Sequence, residues 1–135
     1  MALKEIIRIL RPGGRGLIYA WAKEQERNAM PSSYLKKSKS KSVSKSQPKP
    51  SSQFDLPVHE NRTDFLHSDL LVPWKRKGEE PKTFHRFYHV FQEKELEDLV
   101  RRADGTIEIE KTYYDQGNWC VILRKPMQCT MQFDQ

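Results

Sequence analysis

The stretch from Thr83 to Phe91 contains the residues whose types could do chemistry. It reads Thr-Phe-His-Arg-Phe-Tyr-His-Val-Phe and combines a guanidinium, two imidazoles and a phenol with large apolar side chains. In an extended chain alternate residues share a face, so Arg86 and Tyr88 lie on one face and His85 and His89 on the other. We therefore predict an extended segment that presents polar groups among aromatic anchors.

The two histidines do not predict a metal site. His85 and His89 have the i, i+4 spacing of a metal pair on a helix. In an extended chain, which rises roughly 3.3 Å per residue, the same spacing is too long for both rings to reach one ion. No thiolate or carboxylate pair in the sequence is placed to complete such a site.

A second candidate is Trp74 with the basic turn that follows it, Lys75-Arg76-Lys77-Gly78. An aromatic ring can stack on a nucleobase, and neighbouring cations can contact phosphates. The alternative is a basic loop that only faces water. The apolar run Leu70 to Trp74, where order is expected to return, precedes this turn.

The N-terminal part predicts a helix, a stop and a strand. Leu3, Ile6, Ile7 and Leu10 recur at helical spacing and form one apolar stripe. Pro12, Gly13 and Gly14 then end the helix. The apolar run from Gly16 to Trp21 is typical of a strand covered on both faces, as in a parallel sheet flanked by helices.

The C-terminal part predicts a helix and a hairpin. The helix runs from Gln92 to Ala103, with acidic residues early and arginines late, and Asp104-Gly105 ends it. Two strands, 106–115 and 118–125, are joined by a Gly-containing turn. Cys120 lies in the second strand and is expected to be a buried small hydrophobe, and two cysteines do not make a disulfide framework.

Composition indicates that part of the chain is not packed. Hydrophobic residues make up 36% of the 135 residues, which is low for a packed domain. Residues 29–54 read as a disordered Ser/Lys-rich insertion in a surface loop. The formal charge of +6 is explained by the six lysines of this insertion, so the rest of the chain is neutral: Lys36, Lys37, Lys39, Lys41, Lys45 and Lys49. No apolar stretch approaches the length that spans a bilayer, and no signal peptide is recognisable.

Several of these segments together resemble one family. They are Leu10-Arg-Pro-Gly-Gly14 before the strand, Leu56-Pro-Val-His59 with Asn61-Arg-Thr63, Leu71-Val-Pro-Trp74, Phe84 to Phe91, and Tyr113 to Leu123. The chain is similar to the wobble-uridine tRNA methyltransferases that include the animal AlkB homologue. The resemblance implies S-adenosylmethionine as methyl donor and 5-carboxymethyluridine at the wobble position as the group that is esterified.

The resemblance also implies a fold class, α/β, and a domain organisation. Residues 1–126 correspond to the C-terminal portion of a doubly wound (class I) methyltransferase sheet with a terminal antiparallel hairpin, and 127–135 form a divergent tail. In this family the last strand inserts between the two strands before it in the sheet. The Gly-rich loop of the family has no counterpart here, because Gly13, Gly14 and Gly16 precede a strand and do not open a helix. We therefore expect no S-adenosylmethionine binding by this chain alone, and an exposed apolar edge at Gly16–Trp21.

The resemblance places the substrate side on residues that match the family's segments. A carboxylate is ionised near neutral pH, so the enzyme must mainly align it, and we expect Arg86 to grip it with help from Tyr88. Trp74, Lys75, Arg76 and Asn118 are expected to contact tRNA, and His85 and His89 to contact RNA or the carboxylate. The alternative for the segment that holds Arg86 and the two histidines is an aromatic-lined crossing in the core. A small activator subunit, no membrane, and a cytoplasmic or also nuclear location are implied. Two alternatives remain: a non-catalytic RNA-binding or regulatory short form, and an unrelated small α+β interaction module.

Overall fold

The computed structural model describes residues 2–35, 56–78 and 82–127. Its elements in chain order are α1 (Ala2–Ile9), β1 (Arg15–Trp21), β2 (Glu26–Arg27), β3 (Met30–Pro31), β4 (Asp69–Lys75), β5 (Thr83–His89), α2 (Glu95–Ala103), β6 (Glu108–Asp115) and β7 (Asn118–Arg124). They fall into two compact units. The first contains Met1–Ala20, Glu93–Asp115 and Trp119–Gln135, and the second contains Trp21–Gln92 and Gln116–Asn118.

The first unit is built on a three-stranded sheet in the order β1-β7-β6. The last strand therefore lies between the other two, as the resemblance predicts. The Gly13 amide donates to the Lys125 carbonyl over 2.8 Å, and the Lys125 amide donates to the Gly14 carbonyl over 2.9 Å. The start of β1 thus lies against the end of β7, so these strands run antiparallel. The structure is α/β with antiparallel strands, and the predicted hairpin of β6 and β7 is confirmed.

Two helices supply the apolar cover of the first unit. In α1, Leu3 and Ile7 are buried, whereas Ile6 is 37% exposed, so the buried stripe is narrower than the sequence pattern indicates. Helix α2 buries Leu96 and Val100. It begins at Glu95 and not near Gln92, because Lys94 at its N-cap adopts a left-handed backbone with φ 69°.

The prediction that Gly16–Trp21 is covered on both faces is wrong. Exposed and half-buried residues alternate along β1, with Leu17 49% and Tyr19 53% exposed. A side chain added at Gly16 would meet Leu10 and Leu123, so that face is the covered one. A continuous apolar run shows only that both faces of the strand carry apolar side chains. Whether a second layer covers each face depends on elements distant in the chain.

The second unit contains the antiparallel pair β4–β5, in which Asp69 lies opposite His89 and Lys75 opposite Thr83. The predicted extended segment is therefore confirmed from Thr83 to His89. The core of this unit is formed by apolar residues from several segments: Phe65, Leu70 and Val90, with Tyr34, Val72 and Tyr88 packed against them.

The buried side chain of Gln25 links three segments of the second unit. Its Nε2 donates to the carbonyls of Ala22 and Gly117 over 2.7 and 3.0 Å, and its Oε1 accepts from the Ser32 hydroxyl over 2.6 Å. Gly117 has φ +85°, and a Cβ there would overlap the Gln25 amide. Both polar atoms of the Gln25 side chain are thus hydrogen-bonded, and we call Gln25 with Ala22, Ser32 and Gly117 the hub.

The predicted insertion starts at residue 29, and the structure describes its first residues, up to Leu35. Met30–Pro31 forms strand β3 paired with β2, Ser32 is buried, and Tyr34 packs on the core. Residues 36–55, with the six lysines, lie outside the described residues, as do 128–135 of the predicted tail with Cys129. Cys120 is fully buried, as predicted. Within the described ranges, no helix is long and apolar enough to cross a membrane.

Candidate functional site

The β4–β5 hairpin carries most of the residues that the sequence singles out. Residues directly opposite in an antiparallel pair point to the same side of the sheet. Trp74 lies opposite Phe84, and Val72 lies opposite Arg86. Alternation along each strand then places Trp74, Phe84 and Arg86 on one face, together with Leu70 and Tyr88. The structure thus confirms the predicted sharing of a face by Arg86 and Tyr88.

At the open end of this face four side chains form a row, which we call the cation–ring ladder: Lys82, Phe84, Trp74 and Arg86. The Trp74 and Phe84 rings have centroids 5.8 Å apart and a tilt of 41°. The Arg86 guanidinium carbon lies 4.7 Å from the Trp74 ring centroid. The Lys82 Nζ lies 5.5 Å from the Phe84 centroid. Trp74 and Phe84 keep 43% and 39% of their surface exposed.

The other end of the same face is buried and anchors the hairpin. Leu70 is 2% exposed and belongs to the core of the second unit. Tyr88, which lies opposite Leu70, packs on that core and has its ring centroid 5.3 Å from that of Trp21. Much of the Tyr88 ring is therefore used in packing, which holds Arg86, two residues away, on a fixed strand.

The opposite face of the hairpin carries the two histidines. His85 lies opposite Pro73, and His89 lies opposite Asp69, with 2.6 Å between His89 Nδ1 and Asp69 Oδ1. The His89 ring also meets the Phe91 ring edge-on, with centroids 4.7 Å apart. The structure therefore separates both histidines from Arg86 by the thickness of the sheet. Within residues 2–35, 56–78 and 82–127, no three His, Cys, Asp or Glu residues form a group that could hold a metal ion.

The remaining candidates divide between the hairpin and a turn. Lys75 ends β4, and the Arg76 amide donates to the Lys82 carbonyl over 3.0 Å, so both cations stand at the open end of the hairpin and are exposed. Asn118 is half-buried at the start of β7, and its Nδ2 donates to the Gln116 carbonyl over 3.5 Å. Asn118 thus belongs to a turn and not to the ladder.

An aromatic cluster packs against Tyr88 of the hairpin and includes one pair of titratable groups, Tyr34 and His59. Its rings stack in a chain of contacts that joins Trp21, Tyr34, His59, Phe65 and Tyr88. The Tyr34 hydroxyl lies 2.9 Å from His59 Nε2. Burial lowers the pKa of His59 and raises the pKa of Tyr34, so both groups stay neutral near pH 7.

Sequence reasoning missed Phe84 and Lys82 as site residues and missed the hub at Gln25. Alternation along the strand places Phe84 on the same face as Arg86, but the position of Phe84 beside Trp74 depends on the register of the hairpin. Seven residues separate Lys75 from Thr83 in the sequence, and a connection of this length does not predict the register in the way that a two-residue turn does. A polar Gln between charged neighbours gives no signal that it is buried.

Gly13 and Gly14 do not form the Gly-rich loop that binding of the S-adenosylmethionine implied by the resemblance would need. The glycines that could have formed a cradle are used in the fold: Gly13 and Gly14 exchange hydrogen bonds with Lys125. Gly13 has φ +74°, a left-handed backbone that glycine adopts without strain, so it serves the turn before β1. We therefore assign no described residue to a cofactor.

Comparison with known proteins confirms the resemblance. Over 92% of its length the chain is 38% identical to the tRNA (carboxymethyluridine(34)-5-O)-methyltransferase ALKBH8 of Macaca fascicularis and 43% identical to its counterpart in Xenopus tropicalis. It is 29% identical, again over 92% of its length, to the tRNA (carboxymethyluridine(34)-5-O)-methyltransferase of Schizosaccharomyces pombe. No protein-family model matches the chain.

The chain spans about a quarter of the length of the two animal relatives. The shared part is 27% of the Macaca protein and 23% of the Xenopus protein, and it is 48% of the shorter Schizosaccharomyces protein. The similarity extends over nearly all of this chain, so it includes the β4–β5 hairpin.

Proposed function

We propose that this chain, similar over 92% of its length to tRNA (carboxymethyluridine(34)-5-O)-methyltransferases, forms the tRNA-facing part of such an enzyme. The reaction proposed is methylation of the carboxylate of 5-carboxymethyluridine at the wobble position. The observation that carries this proposal is the sequence identity across 92% of the chain, in relatives whose names state the reaction. S-adenosylmethionine as methyl donor and a small activator subunit are part of the proposal through the resemblance.

Arg86 is the described residue best suited to the wobble carboxylate. Its guanidinium carbon lies over the Trp74 ring, 4.7 Å from the ring centroid, and an arginine that stacks on a ring uses the flat face of its guanidinium. The N–H groups in its plane remain suited to a bidentate contact with two carboxylate oxygens. Because the carboxylate is already ionised near neutral pH, a group that fixes its orientation contributes more than a general base does.

The hairpin gives this arginine a rigid base. Tyr88 and Leu70 fix one end of β4–β5 in the core, so Arg86 projects from a strand and not from a loop. A guanidinium that is already ordered by an indole ring loses less side-chain entropy when it binds an anion. This is the arrangement expected for a group that aligns a substrate oxygen.

The proposal is tested in a chimera of the Xenopus relative in which this chain replaces the stretch to which it aligns. The substrate is tRNA that carries 5-carboxymethyluridine, and the product is the methyl ester nucleoside, measured by mass spectrometry. We expect ester formation by the chimera. A folded chimera that binds tRNA and forms no ester contradicts the proposal and supports the non-catalytic RNA-binding alternative.

Variants of the same chimera test the role of Arg86. Arg86→Ala is expected to lower the rate of ester formation by 100-fold or more, on the order of the loss of one charge-assisted bidentate contact. Arg86→Lys keeps the charge and restores little, because an ammonium lacks the planar fork. Arg8→Ala is the matched control, since Arg8 pairs with Glu5 on the exposed side of α1. Equal rates for the Arg86 and Arg8 variants would remove Arg86 from the reaction.

A further inference from the structure

The cation–ring ladder exposes two aromatic rings, Trp74 and Phe84, whereas a contact with a carboxylate requires only the Arg86 guanidinium. Trp74 and Phe84 lie side by side with 43% and 39% of their surface exposed, although both are large apolar residues. Phe65, in the core of the same unit, is only 4% exposed. Two exposed rings on the paired strands β4 and β5, whose other end is fixed in the core, form a rigid, solvent-facing surface.

The charge of the hairpin tip selects an anionic partner for these rings. Cations stand at both ends of the ladder, with Lys82 over Phe84 at 5.5 Å and Arg86 over Trp74 at 4.7 Å. Residues 75–82 carry four cations and two carboxylates. Two adjacent rings flanked by cations suit a strand that offers planar bases between phosphates.

We propose that the cation–ring ladder binds unpaired bases of the tRNA anticodon loop, with Trp74 and Phe84 stacking on a base next to the wobble nucleotide and Lys82 contacting a phosphate. This inference rests on the proposed function, because that function supplies the tRNA substrate. The ladder favours unpaired bases over duplex, since bases inside an A-form helix are already stacked and cannot meet a protein ring. Trp74 and Phe84 are thus substrate-contacting residues, and Arg86 lies between them and the wobble carboxylate.

The test is the affinity of the 135-residue chain for two labelled RNAs. One is a stem–loop with the anticodon loop and an unmodified wobble uridine, and the other is a fully paired duplex with the same stem sequence. Trp74→Ala is expected to weaken stem–loop binding by about 5- to 100-fold, which is the range for one stacked base. Duplex binding, carried by phosphate contacts, is expected to change by less than about 2-fold.

Phe87→Ala is the matched control. Phe87 is 59% exposed and lies on β5, but its neighbour across the pair is Leu71 on the opposite face. We expect this variant to bind both RNAs as the wild type does. Trp74→Phe keeps a ring at the position and is expected to bind the stem–loop within about 3-fold of the wild type, which separates stacking from a loss of folding.

The outcomes separate the inference from the function on which it rests. Equal losses of stem–loop affinity for Trp74→Ala and Phe87→Ala would contradict the proposed role of the ladder. Equal losses of affinity for the stem–loop and for the duplex would contradict it too, and neither result would affect the proposed methyltransferase function. A wild-type chain that binds neither RNA overturns the ladder as well. If the chimera also forms no ester, the proposed function falls with it.

Discussion

The hub at Gln25 makes the sharpest prediction about stability. Gln25 is 3% exposed, and its side chain makes three hydrogen bonds, two to backbone carbonyls and one from the Ser32 hydroxyl. A typical hydrogen bond contributes about 0.5–1.5 kcal/mol net, and buried partners left unsatisfied add to the loss. We therefore expect Gln25→Ala to lower the free energy of unfolding by about 2–4 kcal/mol.

Gly117 provides a second way to perturb the same hub. Gly117→Ala puts a Cβ into the Gln25 amide and imposes a backbone with φ +85° on a residue that resists it. In the Gln25→Ala background the overlap is absent, so only the backbone cost of about 1–2 kcal/mol remains. The double-mutant cycle is therefore expected to show a coupling of about 1 kcal/mol or more.

The free energies are measured by urea unfolding followed by tryptophan fluorescence. A stabilising osmolyte at the same concentration for all variants defines the folded baseline. Gln116→Ala is the control, because Gln116 is exposed and is expected to stay within about 0.5 kcal/mol of the wild type. A Gln25→Ala loss no larger than this control, or a cycle with additive changes, refutes the hub.

Three further predictions follow from buried groups. Leu70→Ala, at 2% exposure in the hairpin's base, is expected to cost about 2–5 kcal/mol in urea unfolding, whereas Leu66→Ala, at 68% exposure, is expected to cost less than about 1 kcal/mol; equal costs would refute the core assignment. Because burial lowers the pKa of His59, the unfolded chain binds its proton more tightly, so stability is full above about pH 6.5 and falls as the pH drops below it. His59→Gln should flatten this dependence in urea titrations at several pH values, and a profile unchanged by that variant would contradict the assignment. Burial also raises the pKa of the Cys120 thiol, so in a Cys129→Ser variant a thiol reagent at neutral pH should label Cys120 only in urea; rapid labelling of the folded chain would show that Cys120 is accessible.

Local patterns predicted much of the fold. The helical spacing of Leu3 and Ile7 and the Gly-containing turn at Gly117 each correspond to an element found in the structure. These signals are local, because period and turn chemistry act over a few residues. The sheet order β1-β7-β6 came instead from resemblance to a family, since pairing between distant strands leaves no local signal.

The errors share a physical cause. Leu17 and Tyr19 are apolar and exposed because coverage of a strand depends on elements far away in the chain. Tyr34 lies next to a Ser/Lys-rich stretch, yet it packs on Trp21 and Phe65. The site shows the same limit: Arg86 was singled out by its type, whereas its contact with Trp74 follows from the register of two strands.

Ultraviolet cross-linking of the chain to the anticodon stem–loop, with the adducts located by mass spectrometry, tests most directly whether the β4–β5 hairpin is the tRNA-facing surface. We expect RNA adducts on the peptides that contain Trp74 and Phe84. These adducts should disappear when an excess of unlabelled stem–loop is added and should remain when duplex is added. Adducts confined to other segments, with Trp74 and Phe84 unmodified, would contradict it.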